Sequence, residues 1–199
     1  MASSIWQGVL ASEVKSTGSE VTQNWLRPFL PGMYRLALAL VGDEHEAQHA
    51  SSAAAMKALA EPDAPSASGR EYQRLQRLVV RECLEAMRFR AGDLAGWLDE
   101  PDVYFGEMPE AFDWTERAFD TFSPANWKEI KTYALSTLTP KDRAVLLLHD
   151  DLKFSTYRVA FLLDMPVTAV NARLARARQR LLEFVTPLCR ANFETCAWT

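Results

Sequence analysis

Glycine and cysteine are scarce in this sequence, which has 8 glycines and 3 cysteines in 199 residues. Cys83, Cys189 and Cys196 form no CxxC pair and have no histidine at metal-ligand spacing, which argues against a disulfide framework or a zinc site. No glycine-rich phosphate loop is present, and Ser155 lacks the histidine and aspartate of a recognisable nucleophile elbow. We therefore expect neither a cofactor nor enzymatic activity.

Long apolar runs are also missing. No stretch approaches the ~20 apolar residues of a membrane span, and residues 1–14 lack the basic leader and apolar core of a signal peptide. Hydrophobic residues nonetheless make up 48% of the sequence, which together with the few glycines suits a folded helical protein. The sequence thus predicts a cytoplasmic, all-α protein without a membrane span.

Residues 138–182 carry the pattern of a helix-turn-helix, in which three short helices pack together and the third can lie in a DNA groove. Pro140 suits the first position of a helix that begins after Thr139, because the missing N–H is not needed there. Ser155 can cap the second helix with its hydroxyl. Pro166 cannot continue that helix and so marks the turn before the third.

The predicted third helix has Thr168 as its N-cap and ends at Thr186 and Pro187. Its apolar face is formed by Val170, Leu174, Ala177 and Leu181. A second face carries Arg173, Arg176 and Arg180. Between residues 141 and 182 there are eight basic and four acidic side chains, although the whole chain has a net charge of −4. This excess favours binding to a polyanion, but an arginine-rich solvated helix of an ordinary bundle also fits the pattern.

This segment resembles the C-terminal promoter-binding domain of bacterial extracytoplasmic-function (ECF) sigma factors of the sigma-70 family. The matching features are a Leu-x-Pro start at Leu138, a serine that opens the second helix, a turn that ends in Pro166 and an Arg-x-Arg in the third helix. One departure is Lys153, where the family often has glycine. The residues predicted to bind DNA here are Thr168, Asn171, Arg173, Arg176, Arg178 and Arg180.

Residues 24–90 show a second helical pattern in three segments. Gly42 should end the first helix and Asp43 should cap the next, while residues 62–69 form a turn-rich loop before a third helix at residues 70–90. These three helices should form a compact unit.

The phrase from Met33 to Asp43 resembles the opening helix of the family's N-terminal core-binding domain. The resemblance places the third helix where the family melts and holds promoter DNA, and so implies DNA contacts by Arg88 and Arg90. The chain departs from the family at residues 48–53, Gln-His-Ala-Ser-Ser-Ala, where members usually carry an acidic-Leu-Val-Gln-acidic motif that engages polymerase. A charged docking face has become small and neutral.

The segment between the two patterns is acidic and aromatic. Residues 93–122 contain nine acidic residues, one arginine and seven aromatic residues. Such a run is often a solvated linker, but its aromatic content indicates that parts of it pack on a domain, with a short helix near residues 114–122. We also consider that its acids compete with DNA for basic surfaces.

The predicted architecture is all-α, with two small helical domains joined by this acidic, aromatic-rich linker. Its parts are an N-terminal arm (1–22), a three-helix unit (23–92), the linker (93–126), the helix-turn-helix domain (127–185) and a C-terminal tail (186–199).

The sequence also contains a pattern that is typical of zinc sites. His45, Glu46 and His49 satisfy HExxH, in which two histidines would hold zinc and the glutamate would act as base. No third ligand is clearly placed, and the motif lies in a region that resembles another family. We therefore expect no metal and regard a metalloenzyme as the least favoured hypothesis.

Two hypotheses for function follow. The first is an ECF-type RNA polymerase sigma factor that directs transcription initiation by promoter DNA binding, with core polymerase, promoter DNA and an anti-sigma factor as partners. The alternative is a sigma-like regulatory protein that binds an anti-sigma factor or another regulator without initiating transcription.

Overall fold

The structure, a computed structural model, contains two compact units, residues 1–93 and 94–199. It describes residues 25–60, 70–91, 108 and 124–196, with the side chains of 90–91, 124–128 and 188–196 outside the description. All regular structure in these residues is helical, which confirms the all-α prediction.

The described residues form helices in both units. The first unit contains α1 (Leu30–Val41), α2 (Glu44–Ala60) and α3 (Glu71–Ala91). The second unit contains α4 (Pro124–Ser136), α5 (Pro140–Leu146), a π-helical turn (Leu147–Asp151), α6 (Thr156–Leu163) and α7 (Val167–Cys196). None of the described helices is both long enough and apolar enough to span a membrane.

The connection between α1 and α2 is short because both helix ends are satisfied locally. Gly42 has a φ of 76°, and its N–H donates to the Leu38 carbonyl at 2.9 Å. Glycine takes this left-handed conformation without the steric penalty of a Cβ atom. The Asp43 Oδ1 then accepts the N–H of Glu46 at 2.9 Å. The predicted helix stop and N-cap are both confirmed.

Small side chains allow α2 to pack closely between α1 and α3. Its buried residues are Ala47, Ala50, Ser51, Ala54, Ala55 and Ala58. Large apolar residues of the other two helices fill the space around it, and Met33 and Val79 are fully buried. Cys83 lies in the same core, where burial, with the charge of Glu82, raises the pKa of its thiol to about 12.

The helix starts of α5 and α6 were also predicted correctly. The Thr139 Oγ1 accepts the N–H of Asp142 at 3.2 Å, with Pro140 in the first turn of α5. The Ser155 Oγ accepts the N–H of Arg158 at 3.3 Å at the start of α6. Each hydroxyl satisfies a backbone donor that has no partner inside its helix.

The boundaries of α7 differ from the prediction at both ends. The helix begins at Val167, and the Pro166 carbonyl accepts the N–H of Val170 at 3.1 Å, so Thr168 lies in the first turn and the prediction of an N-cap there is wrong. A proline can precede a helix because its own N–H is not required there. The helix also continues through Pro187 to Cys196. Proline removes one backbone hydrogen bond but has a helical φ, so it weakens a long helix without having to end it.

Two residues in the second unit have left-handed backbone conformations. Lys153 has a φ of 57° before α6, and Asp164 has a φ of 54° after it. A conformation of this kind favours glycine and costs about 1–2 kcal/mol for most other residues. The departure from glycine at residue 153 therefore leaves backbone strain in the turn.

Several predicted segments lie outside the described residues. They are the arm at 1–22, the loop at 62–69, most of the linker at 93–126 and the last residues of the tail. The proposed domain boundaries stay predictions.

Candidate nucleic-acid interface

The start of α7 presents two polar side chains to solvent. Thr168 and Asn171 are exposed and lie three residues apart, so they share one face of the helix, whereas Ala169 and Ala172 are buried. A hydroxyl and an amide can each donate and accept hydrogen bonds. Their position at the start of the third helix is the one that contacts base edges in helix-turn-helix proteins.

Arg173, which was predicted to belong to a phosphate-binding face, is buried instead. Its Nη1 lies 3.2 Å from the Oδ1 of Asp142 on α5, and the two side chains are 3% and 1% exposed. The Nη2 of Arg176 lies 3.5 Å from the same oxygen, with 11% of that side chain exposed. The predicted division of α7 into a core face and an arginine face is therefore wrong at Arg173. A carboxylate on α5 turns that guanidinium towards the domain interior.

Arg178 forms a second buried pair with Asp150 of the π-helical turn. Its Nη2 lies 2.7 Å from Oδ1 and its Nε lies 3.0 Å from Oδ2, a bidentate arrangement that fixes the relative orientation of both groups. Burial alone would raise the pKa of Asp150. Hydrogen bonds from Arg178 and His149, with the charges of those groups, outweigh it and hold this pKa below its ordinary value.

The π-helical turn determines which carboxylate faces inward. Its extra residue is visible in the hydrogen bond from the Leu152 N–H to the Leu147 carbonyl, at 2.9 Å. Asp150 is buried, while the adjacent Asp151 is exposed and pairs with Lys131 of α4 at 3.0 Å. In the sequence, Asp150 lies shortly after the apolar run at residues 145–148. Its partner is 28 residues away, so no local signal identified the pair.

The remaining predicted DNA contacts have different surroundings. Arg180 is half-buried on α7, and Arg88 is exposed on α3 beside the exposed Phe89. The side chain of Arg90 lies outside the described residues. DNA contact by any of the eight predicted residues stays a prediction.

The HExxH pattern lies on the first turns of α2. His45 and His49 are exposed, and Glu46 is half-buried. Within the part of the chain that the structure describes, no group of three or more histidine, cysteine or acidic residues is arranged to hold a metal ion.

The segment of α2 that departs from the family pattern, residues 48–53, consists mostly of small side chains that are buried or half-buried. Ala50 and Ser51 are buried, and the Ser51 hydroxyl donates to the Ala47 carbonyl at 2.7 Å. Gln48 is half-buried and His49 is exposed. Little of this segment is therefore available for charged contacts with a partner.

Comparison with known proteins gives two findings. The family model described as "Sigma-70, region 4" matches residues 132–181. Among solved structures of similar fold is the sigma factor RpoE from Bartonella quintana, in a co-crystal with the anti-sigma factor NepR, with a TM-score of 0.52 and 21% sequence identity. The similarity covers 82% of this chain and 96% of that one. A search of curated proteins gives no match.

Proposed function

We propose that this protein, whose residues 132–181 match the model of sigma-70 region 4, is an ECF-type sigma factor that directs RNA polymerase core to promoter DNA. The resemblance predicted from the sequence is confirmed by the match to region 4 over residues 132–181 and by the sigma-factor fold. The observation that carries the proposal is the helix-turn-helix within this matched segment, with Thr168 and Asn171 exposed at the start of its third helix.

In this function the start of α7 reads base edges in the major groove. The Asn171 amide can donate to and accept from one adenine, and the Thr168 hydroxyl can contact a base or a phosphate. In the first unit, Arg88 is exposed on α3 and supplies a cation for the second promoter element. Arg90 is proposed for the same role from the resemblance alone.

The proposed partners are core polymerase, promoter DNA and an anti-sigma factor, and the proposed location is the cytoplasm. Support for an anti-sigma factor as partner comes from the similar RpoE structure, which was solved with an anti-sigma factor bound. No enzymatic activity belongs to this function.

A second candidate is a sigma-like regulator that binds such a partner without initiating transcription. The observation that favours it is the docking segment of α2, residues 48–53, where Ala50 and Ser51 are buried and only His49 is exposed. With few charged or amide groups directed outward, this surface would form fewer specific contacts with polymerase.

In-vitro transcription separates the two candidates. The full chain is mixed with core polymerase and a library of genomic promoter fragments, and the products are sequenced, while a parallel pull-down measures binding to core. Transcripts that start at a limited set of fragments support the sigma factor. An absence of both core binding and transcripts, with capture of an anti-sigma factor, supports the regulator.

Substitutions on α7 test the site itself. Thr168→Ala with Asn171→Ala should abolish or redirect initiation, because base contacts are lost. Gln179→Ala is the matched control, since Gln179 is exposed on the same helix and donates a hydrogen bond to Glu183 at 2.9 Å. If both variants behave alike, the assigned base contacts are wrong.

A further inference from the structure

We propose that Arg173 and Arg178 are positioning residues, which hold the recognition helix α7 onto α5 and the π-helical turn through Asp142 and Asp150, rather than phosphate-binding residues. The inference rests on the proposed function for its consequence in DNA binding. Its structural part rests on the two ion pairs alone.

The first pair joins the start of α7 to the start of α5. Asp142 is 1% exposed and Arg173 is 3% exposed, so both charges are inside the domain. Arg176 lies at the edge of the pair and contacts the same carboxylate oxygen. Because Arg173 comes only two residues after Asn171, its fixed guanidinium sets the rotation of the helical turn that presents Thr168 and Asn171.

The second pair joins the middle of α7 to the π-helical turn. Arg178 approaches Asp150 with two donors, and His149 lies 2.8 Å from the same carboxylate. A guanidinium held bidentately resists both sliding and rotation, whereas apolar contacts alone are not directional. Arg173 adds a contact to Asp142 at 3.2 Å, so α7 has two polar contact points along its length, and together they fix its position along its axis as well as its rotation.

Burial distinguishes this role from phosphate binding. A phosphate-binding arginine must reach solvent and exchange counterions for the DNA backbone, and each such contact contributes about 0.9 to the slope of log affinity against log salt. A buried guanidinium that already faces a carboxylate makes no such contribution. The positive charge of Arg173 and Arg178 therefore should not appear in the salt dependence of DNA binding.

The Asp142–Arg173 pair is called the first clamp and the Asp150–Arg178 pair the second clamp. Hydrogen exchange of the full chain tests both clamps in the absence of DNA. The variants are Asp142→Asn, Arg173→Gln and their double, with Asp150→Asn, Arg178→Gln and their double as the second set. We expect each single change to speed exchange of the α7 amides on the order of 100-fold, because it leaves one buried charge without its partner. Each double variant should exchange at least ~10-fold more slowly than the product of its single effects, because no lone charge remains.

The matched control is the exposed pair Gln179 and Glu183 on the same helix. Its double variant should equal the product of its singles within about 2-fold. Arg173→Lys keeps the charge and provides a second variant if Arg173→Gln does not fold; it should speed exchange less than Arg173→Gln does. If the double variant of Asp142 and Arg173 changed the exchange rate by the product of its single effects, as at the control pair, the first clamp would be overturned.

The DNA measurement uses a 30-base-pair duplex of random sequence over a series of salt concentrations. Arg173→Gln should weaken binding and leave the salt slope unchanged, and the Asp142→Asn double variant should recover part of the affinity. A slope lowered by about 0.9 in both variants would overturn the positioning role. If the wild-type chain binds no duplex and gives no transcripts with core polymerase, the proposed function fails, whereas the exchange cycle still decides the clamps.

Discussion

Helices α2 and α7 carry the two halves of the proposed function, and their buried faces are held in place by different means. The inner face of α2 consists of alanines and one serine that fit closely between its neighbours, and only the partly exposed Lys57 at its last turn adds an ion pair, to Glu82 of α3 at 2.6 Å. In contrast, α7 combines an apolar face with two arginines that enter the domain and meet buried carboxylates. A helix that must present particular side chains to base edges needs a fixed rotation, and the ion pairs supply it.

The difference also predicts different sensitivities to mutation. A buried ion pair contributes little net stability compared with a well-packed apolar pair, but the loss of one partner is severe. A closely packed core of small residues loses stability mainly when a substitution adds volume, because no space is left for a larger side chain.

The largest effect is expected at Asp142. Replacement by leucine leaves Arg173 buried without its carboxylate, and the free energy of unfolding of the second unit should fall by about 3–5 kcal/mol. Urea unfolding followed by hydrogen exchange of α7 measures this loss. Addition of Arg173→Met should recover most of it, since the buried charge is then absent. A loss below about 1 kcal/mol in the single variant would contradict the role of the pair.

The next effect is expected in α2. Ala54 is fully buried, so Ala54→Leu adds volume where the neighbouring helices leave no space, and the first unit should lose about 1–3 kcal/mol. Ala60 is exposed at the end of the same helix and provides the control, because Ala60→Leu should change stability by less than about 0.5 kcal/mol. Equal effects at both positions, read from urea midpoints, would mean that α2 is not closely packed.

A pH titration examines the second clamp. The pKa of Asp150 is lower in the folded chain than its ordinary value, so the pair stabilises the fold fully at pH values above the unfolded pKa. This contribution is lost as the pH falls through the lowered folded pKa. In urea unfolding at stepped pH, the second unit should therefore weaken on acidification, and Asp150→Asn should flatten that dependence. An unchanged acid profile in Asp150→Asn would show that the pair is not formed.

The smallest effect concerns the turn before α6. Lys153 has a positive φ, and Lys153→Gly should relieve that strain and stabilise the second unit by about 0.5–1 kcal/mol. Lys153→Ala keeps a Cβ atom and should give no gain. Thermal unfolding of the two variants checks the difference, and a gain with alanine would assign the effect to the lost charge instead.

The sequence predicted those parts of the fold that depend on neighbouring residues. Thr139, Ser155 and Gly42 determine helix ends through contacts only a few positions away, so their types and spacing were sufficient. The prediction that the helix ends at Pro187 was wrong because a proline inside a helix and a proline after one have the same local sequence pattern.

The candidate site was less predictable, because its charges are paired over long separations. Asp142 and Arg173 are 31 residues apart, and periodicity alone cannot distinguish a solvated arginine from one that faces a buried acid. The count of four acidic and eight basic residues gave the net charge of residues 141–182, but it did not show which acids are buried in the fold. The exposure of Thr168 and Asn171 was predictable, since neither lies on the apolar stripe of the helix that begins at Val170.

Promoter-selective transcription with core polymerase is the most direct test of the central claim that this chain is a sigma factor whose α7 reads DNA. The full chain should direct initiation at a limited set of fragments, and the Thr168→Ala, Asn171→Ala variant should lose or change that selection while its α7 amides stay as protected as those of the wild type. Transcripts that do not depend on the chain, or selection that is unchanged in this variant, would contradict the account.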